Sequence, residues 1–297
     1  MPYKIFSEYL QDHKYYISLI KNSKNKLFSK FKIIEHRNIH KKSFGKTLII
    51  GGTDEYLGAI LISSISALRS GSRYVNVFTT KKNHSILSIN QPELITSYDI
   101  DSLPNKIFDS KNILIGPGLS SNKWSEKIFL DTKKVLESSG SNKNIVIDAG
   151  FLNLLAVDPF RYENWILTPH VGEAARLLNT SKDNIQSNRL DSAKMIQEKY
   201  GGVVILKGYE TIIQTKADSF VCSHGNSAMG TAGMGDCLAG IIISLISLVD
   251  LKDYNNAILY AVGIHSIAAD NLSSKQGKIG LLASDVIMEV NKLLNNG

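Results

Sequence analysis

His224-Gly225-Asn226-Ser227-Ala228-Met229-Gly230-Thr231-Ala232-Gly233-Met234-Gly235-Asp236 runs without a break into Cys237-Leu238-Ala239-Gly240-Ile241-Ile242-Ile243-Ser244-Leu245-Ile246. Glycines spaced among small residues, followed at once by an apolar run, describe a loop that opens into a buried helix. The first amides of such a helix lack partners and the positive end of its dipole lies there, so the junction favours an anion. Gly233 and Gly235 let a phosphate approach those amides without meeting a side chain. A carboxylate at the mouth of an anion site is costly unless it is used. The use that fits Asp236 is to take a proton from a hydroxyl or water held beside the phosphate. Alone, the loop also reads as a glycine-rich turn whose Asp236 caps the helix, and the rest of the chain bears on that choice.

Working outward, Val203-Val204-Ile205-Leu206 is a buried strand that delivers Lys207-Gly208 to its end. Glu210 to Thr215 and Ser219 to Cys222 suggest a hairpin leading back to the glycine-rich loop. Lys46 to Ile50 is a short apolar run ending in Gly51-Gly52-Thr53, and Gly58 to about Arg69 is a helix. Tyr74 to Phe78 is the next strand, which completes a βαβ unit. The same grammar recurs where Asn112–Ile115 ends in Gly116-Pro117-Gly118, Asn144–Ile147 in Asp148-Ala149-Gly150, and Trp165–Leu167 in Thr168-Pro169-His170-Val171-Gly172-Glu173. Each run ends in small or polar residues on what should be one edge of one sheet. The class this predicts is α/β, a central mostly parallel sheet flanked by helices on both faces, with ligand at the carboxyl edge. Ser181 to Tyr200 reads as one helix, Tyr254 to Leu272 as another, and a last amphipathic helix runs to Leu294. His265, among small residues, reads as a core or boundary histidine with its hydrogen bonds satisfied.

At 297 residues the chain can form one large α/β domain or two small ones, and 43% hydrophobic residues suffice for a packed core. The net charge of +7 is uneven: residues 1–46 hold 11 Lys or Arg against three acids, leaving 23 bases against 24 acids elsewhere. The expected organisation is a basic helical segment and connector over 1–43 and the α/β domain over 44–297. No nucleic-acid motif accompanies the basic segment, so a solvated Lys-rich surface is the better reading and no nucleic-acid partner is expected. The longest apolar stretch, Ala239 to Val249, is about half of a membrane span, and the start lacks a signal-like block, so a cytoplasmic protein is expected. Cys222 and Cys237 show no metal-ligand spacing and read as reduced thiols.

Laid out together, these blocks resemble the NAD(P)H-hydrate dehydratases of the ribokinase-like fold, from about Arg37 to the C-terminus. The resemblance rests on Gly51-Gly52, Gly58-Ala59, Gly116-Pro117-Gly118, Asp148-Ala149, Leu152-Asn153-Leu154-Leu155, Thr168-Pro169-His170, Gly172-Glu173-Ala174-Ala175-Arg176-Leu177, Leu206-Lys207-Gly208, Gly225-Asn226, Gly233-Met234-Gly235-Asp236 and Ala283-Ser284-Asp285. It implies dehydration of the S epimer of hydrated NADH or NADPH, driven by phosphoryl transfer from ADP in bacterial members or ATP in eukaryotic ones. Hydroxide leaves poorly, whereas a phosphate ester on the same carbon leaves readily with a push from the ring nitrogen.

By the same resemblance Asp236 would deprotonate the hydrate's hydroxyl, and the amides of Gly233, Met234 and Gly235 would form the anion hole. Ala59, Gly118, His170 and Asn226 would contact the hydrated cofactor; Lys207, Gly208, Tyr209, Glu210, Thr211 and Gly235 would hold ADP. Mg²⁺ would arrive on the nucleotide's phosphates with no dedicated protein cage. A homotetramer and a separate epimerase are further implications. The chain departs from the family pattern at Gly150 and Phe151, where the block usually reads Asp-Ala-Asp-Ala-Leu-Asn, a change that bears on substrate affinity or metal handling. Val171 in place of proline and Ala232 in place of glycine are expected to be tolerated. The rival readings are a small-molecule kinase of the same fold, acting on a vitamin-precursor alcohol, and a non-catalytic nucleotide-binding protein.

Overall fold

The computed structural model describes residues 4–5, 45–138, 143–249 and 253–295. Its strands are β1 (Lys4–Ile5), β2 (Thr47–Ile50), β3 (Val75–Phe78), β4 (Ile95–Ser97), β5 (Asn112–Ile115), β6 (Asn144–Ile147), β7 (Trp165–Leu167), β8 (Val203–Leu206), β9 (Thr211–Gln214) and β10 (Ser219–Cys222). They form one sheet in the order β1-β10-β9-β8-β7-β6-β5-β2-β3-β4. Only β9 runs antiparallel to its neighbours. Most of the parallel strands are apolar and buried along their whole length, because helices cover both faces and neither side sees water.

The helices are α1 (Leu57–Arg69), α2 (Lys81–Asn90), α3 (Leu103–Asp109), α4 (Lys123–Ser138), α5 (Ala149–Val157), α6 (Val171–Leu178), α7 (Lys182–Ser187), α8 (Arg189–Tyr200), α9 (Met234–Ser247), α10 (Tyr254–Gln276) and α11 (Ala283–Asn295). Alternate strand residues feed two cores. Ile49, Leu114 and Val146 pack with α1, α2, α9, α10 and α11, while Leu48, Ile50, Ile113 and Ile115 pack with the helices from α3 to α8. Helix α9 is buried at every residue from Cys237 to Ser247, as its apolar run requires, and Ser66 Oγ of α1 donates to the Cys237 carbonyl at 2.7 Å.

One helix was expected over Ser181–Tyr200, but the chain breaks at Asn188, whose ψ of 48° leaves the helical region. The separate start turns Arg189 into the first residue of α8. Within the expected basic helical segment, Lys4–Ile5 is a strand beside β10; the rest of that segment lies outside the described residues.

Sequence order reverses between β2 and β5: the chain leaves β2 toward β3 and β4, then returns to pair β5 on the other side of β2. Open α/β sheets bind ligands at the carboxyl ends of strands beside such a reversal. Gly51-Gly52-Thr53 follows β2 and Gly116-Pro117-Gly118 follows β5, and the two loops interlock. Gly52 N donates to the Pro117 carbonyl and Thr53 N to the Gly118 carbonyl, both at 2.8 Å.

Candidate active site

Helix α9 opens on the same edge with an unusual start. Gly233 is its N-cap at φ 89°, in the left-handed region, and no side chain caps the helix. Cys237 N reaches back to the Gly233 carbonyl at 2.8 Å, and Met234 N makes a long 3.4 Å contact to the Thr231 carbonyl. The Met234 amide, expected in the anion hole, is therefore partly engaged. The amides of Gly235 and Asp236 head the helix without a capping side chain, in a geometry that suits a phosphoryl oxygen.

Asp236 sits in the first turn among like charges. Burial raises its pKa to about 7, Asp148 and Glu173 add to the rise, and Lys207 opposes it. Its carboxyl group is thus poised to gain or lose a proton near neutrality, as a general base needs. Lys207 Nζ lies 2.6 Å from Asp148 Oδ1 and 3.9 Å from Glu173 Oε2. Burial pulls Lys207 down, but Asp148, Glu173 and Asp236 outweigh it and keep it charged. Asp148, at the end of β6, also accepts from Thr168 Oγ1 at 2.8 Å. Lys207 is the cation at the centre of three acids.

His170 is the N-cap of α6. Its Nδ1 accepts from Gly172 N at 2.9 Å and Glu173 N at 3.2 Å, while Glu173 Oε2 accepts from His170 N at 2.8 Å. This reciprocal cap fixes the ring with Nδ1 as acceptor, which puts the proton of the neutral form on Nε2. Burial and the positive charges of Lys207 and Arg176 lower the His170 pKa, so the ring stays neutral near pH 7. Val171 begins α6 where proline would also fit, and the cap holds the turn without it.

A cavity of about 730 Å³ opens beside the head of α9. His170, Asn226, Gly233, Met234, Gly235 and the whole segment Lys207-Gly208-Tyr209-Glu210-Thr211 line it, as a shared ligand site requires. Asp236 follows Gly235 in the same turn and is not itself a wall of this cavity. Ala59 and Gly118 also lie outside it, Ala59 in the first turn of α1 and Gly118 in the interlocked loops. Asn226 lines the cavity with its amide already occupied: Nδ2 donates to Asp270 Oδ1 at 2.7 Å, and Oδ1 accepts from Ala228 N at 3.0 Å. Asp270 also accepts from Gly225 N at 3.0 Å, so this pair shapes the loop.

One expectation needs correction. His265 is buried, but its Nε2 has no hydrogen-bond partner, and burial pulls its pKa down to about 4. It is a buried histidine on the wall of the cavity, in contact with the Met234 backbone and with Nε2 alone unpartnered. Gly150 is enforced sterically, since a Cβ there would lie 2.2 Å from the Leu119 carbonyl. Its neighbour Phe151 is fully buried against Phe129. This corner is a packing element of the second core, and the acids around Lys207 come from Asp148, Glu173 and Asp236 instead. No group of three or more His, Cys, Asp or Glu that could hold a metal occurs among the described residues.

Reasoning from sequence missed three residues of this corner: Asp148, Glu173 and Asp270. The first two carried a signal, a polar residue at a strand end and the third place after a helix cap. Asp270 carried none, because it meets Gly225 and Asn226 only after folding.

The model of the NAD(P)H-hydrate dehydratase family matches residues 47–292. A bifunctional NAD(P)H-hydrate repair enzyme of Coxiella burnetii is 38% identical over 262 residues, 87% of this chain and 52% of that protein. The chain thus spans about half the length of such bifunctional relatives. An ADP-dependent (S)-NAD(P)H-hydrate dehydratase of Lactiplantibacillus plantarum is 31% identical over 240 residues, covering 79% of this chain and 83% of that one. Among solved structures, an ADP/ATP-dependent NAD(P)H-hydrate dehydratase of Bacillus subtilis, co-crystallised with ATP and Mg²⁺, superposes with a TM-score of 0.76. It is 26% identical, and the match covers 88% of this chain and 92% of that one. The fold is ribokinase-like.

Proposed function

The chain belongs to the NAD(P)H-hydrate dehydratase family, and from that premise we propose that it restores NADH or NADPH from the S epimer of the hydrated cofactor at the expense of ADP. The observation that carries this reading is Asp236: a carboxyl group with a pKa near 7 in the first turn of a helix whose leading amides are uncapped. A base and an anion site one residue apart suit transfer of a phosphoryl group to a hydroxyl.

Asp236 takes the proton of the hydrate's hydroxyl as its oxygen attacks the terminal phosphorus of ADP. The bond between that phosphorus and the bridging oxygen breaks, and AMP leaves. The Gly235 and Asp236 amides hold the transferring group. The phosphate ester then departs from its carbon, pushed by the ring nitrogen; loss of a proton from the adjacent carbon restores the dihydronicotinamide and releases phosphate. Lys207-Gly208-Tyr209-Glu210-Thr211 and Gly235 hold the nucleotide, while Ala59, Gly118 and neutral His170 face the hydrate. Asn226 shapes the loop between them.

The residues present suit a magnesium ion carried by the nucleotide more than one caged by protein, because Asp148 is taken up by Lys207 and Thr168 and Glu173 by the His170 amide. Such an ion would neutralise phosphate charge.

The test is to incubate the S hydrate with ADP and Mg²⁺, repeat with ATP, and identify products by mass spectrometry. NADH or NADPH with AMP and phosphate is the expected outcome with ADP. A stable phosphorylated product would replace this reading with that of a small-molecule kinase, and absence of turnover would overturn catalysis.

A further inference from the structure

Arg189 lies outside the cavity and outside every motif in the sequence. It opens α8, where the helix dipole disfavours a cation, and it is partly buried, which disfavours one again. A guanidinium kept in such a place needs acceptors. Arg189 Nη2 donates to the Leu206 carbonyl at 3.2 Å and to the Glu210 carbonyl at 3.4 Å. Those carbonyls flank Lys207-Gly208-Tyr209, so the guanidinium spans the base of the loop that lines the cavity.

Gly208 is tailored to this arrangement. Its φ is 140°, and a Cβ on it would lie 2.9 Å from Arg189 Nη1. On the same loop, Thr211 Oγ1 donates to the Gly208 carbonyl at 3.0 Å. Glu210, a non-glycine residue at φ 54°, is held in the left-handed region between these contacts. Both bonds leave one nitrogen, Nη2, whose two protons are fixed in the plane of the guanidinium, whereas the protons of a lysine ammonium turn freely on a different reach.

We infer that Arg189 is a positioning residue for the nucleotide, holding the backbone of Lys207–Thr211 in the form that receives ADP. The inference rests on the assignment of this loop to ADP. Arg189 acts through the loop and makes no contact with the reacting atoms.

The experiment measures ADP binding by calorimetry for the wild type, Arg189→Met, Arg189→Lys and Arg189→Ala, the last with and without ethylguanidinium, and steady-state kinetics for each. Arg189→Met is expected to raise the Kd and KM for ADP by about tenfold, with the KM for the hydrate changed by no more than about twofold. Arg189→Lys should recover part of the loss, and ethylguanidinium should restore ADP affinity to Arg189→Ala where ethylammonium does not. Unchanged ADP affinity in a folded Arg189→Met overturns the inference alone. Equal losses for both substrates without rescue overturn it in favour of a general structural role. Should Arg189→Met fail to fold, Arg189→Lys decides, since an ammonium lacks the fixed planar geometry in which Nη2 meets both carbonyls and should weaken ADP selectively. A wild type that fails to bind ADP sinks the functional reading and this inference together.

Discussion

Lys207 Nζ lies 2.6 Å from Asp148 Oδ1, and the lysine side chain is 17% exposed against 2% for the aspartate. The charge that a strand-end lysine could offer to a ligand is therefore shared with a fixed carboxylate, which in turn acts on Asp236. Asp148 is the second cause, after burial, of the raised Asp236 pKa.

Replacing Asp148 by Asn should move the base. With one negative charge gone, Asp236 ionises at lower pH, so the rising limb of the pH–activity profile, expected near the wild-type pKa of about 7, shifts to more acidic values. Breaking a buried ion pair typically costs about 3–5 kcal/mol, so stability to urea should fall as well. A limb that stays in place shows that Asp148 does not tune the base.

Asp236→Asn should lose activity by about 10² to 10⁴-fold while gaining stability. The sign follows from linkage: the folded pKa of about 7 lies above the 3.8 of an exposed aspartate, so the folded state binds the proton more tightly than the unfolded one. The stability this lends to the wild type is complete below the unfolded pKa and is lost as pH rises through the folded one. The variant, which does not titrate, should match the wild type least favourably near pH ~4 and gain on it up to pH ~7, with a constant advantage above. Urea titrations at three pH values measure this, and a pH-independent difference contradicts the raised pKa.

Placing the acid of the expected family pattern at this position with Gly150→Asp should harm the protein. The new Cβ would press on the Leu119 carbonyl at 2.2 Å, a backbone atom that cannot rotate away. Overpacking of this kind costs about 1–3 kcal/mol or more, readable as a fall in Tm. A variant with unchanged Tm and tighter hydrate binding would show that the corner yields and that the missing acid matters.

The parallel sheet was legible because its strands are short, apolar and punctuated by glycine: Ile49 or Leu114 can hardly be placed outside a doubly covered sheet. The start of α9 was legible for the same reason, since Gly233 and Gly235 precede a buried apolar run and Gly233 is the N-cap of the helix. What sequence concealed is relational. Nothing in Ser181–Tyr200 marks the break at Asn188, and hence nothing marks Arg189, whose partners lie 17 and 21 residues away. Gly150 looked like a lost acid because the alternative, contact with Leu119, exists only after folding.

His265 supplies a test of opposite sign to Asp236. Burial lowers its pKa from the 6.5 of an exposed histidine to about 4, so the neutral ring is the folded form. Its contribution to stability is present above the unfolded pKa and is lost as pH falls through the folded one, by up to about 1.4 kcal/mol per pH unit across that window. His265→Leu removes both the titration and the unpartnered Nε2, while also losing the ring's backbone contact at Met234. Between pH ~6.5 and ~4 the variant should lose stability less steeply than the wild type, because only the wild type takes up a proton at this position when the ring is exposed on unfolding. Urea midpoints across that range measure the two slopes. Parallel slopes would mean that the ring takes up its proton in the folded protein as readily as in the unfolded chain, and that its burial beneath Met234 is open to water.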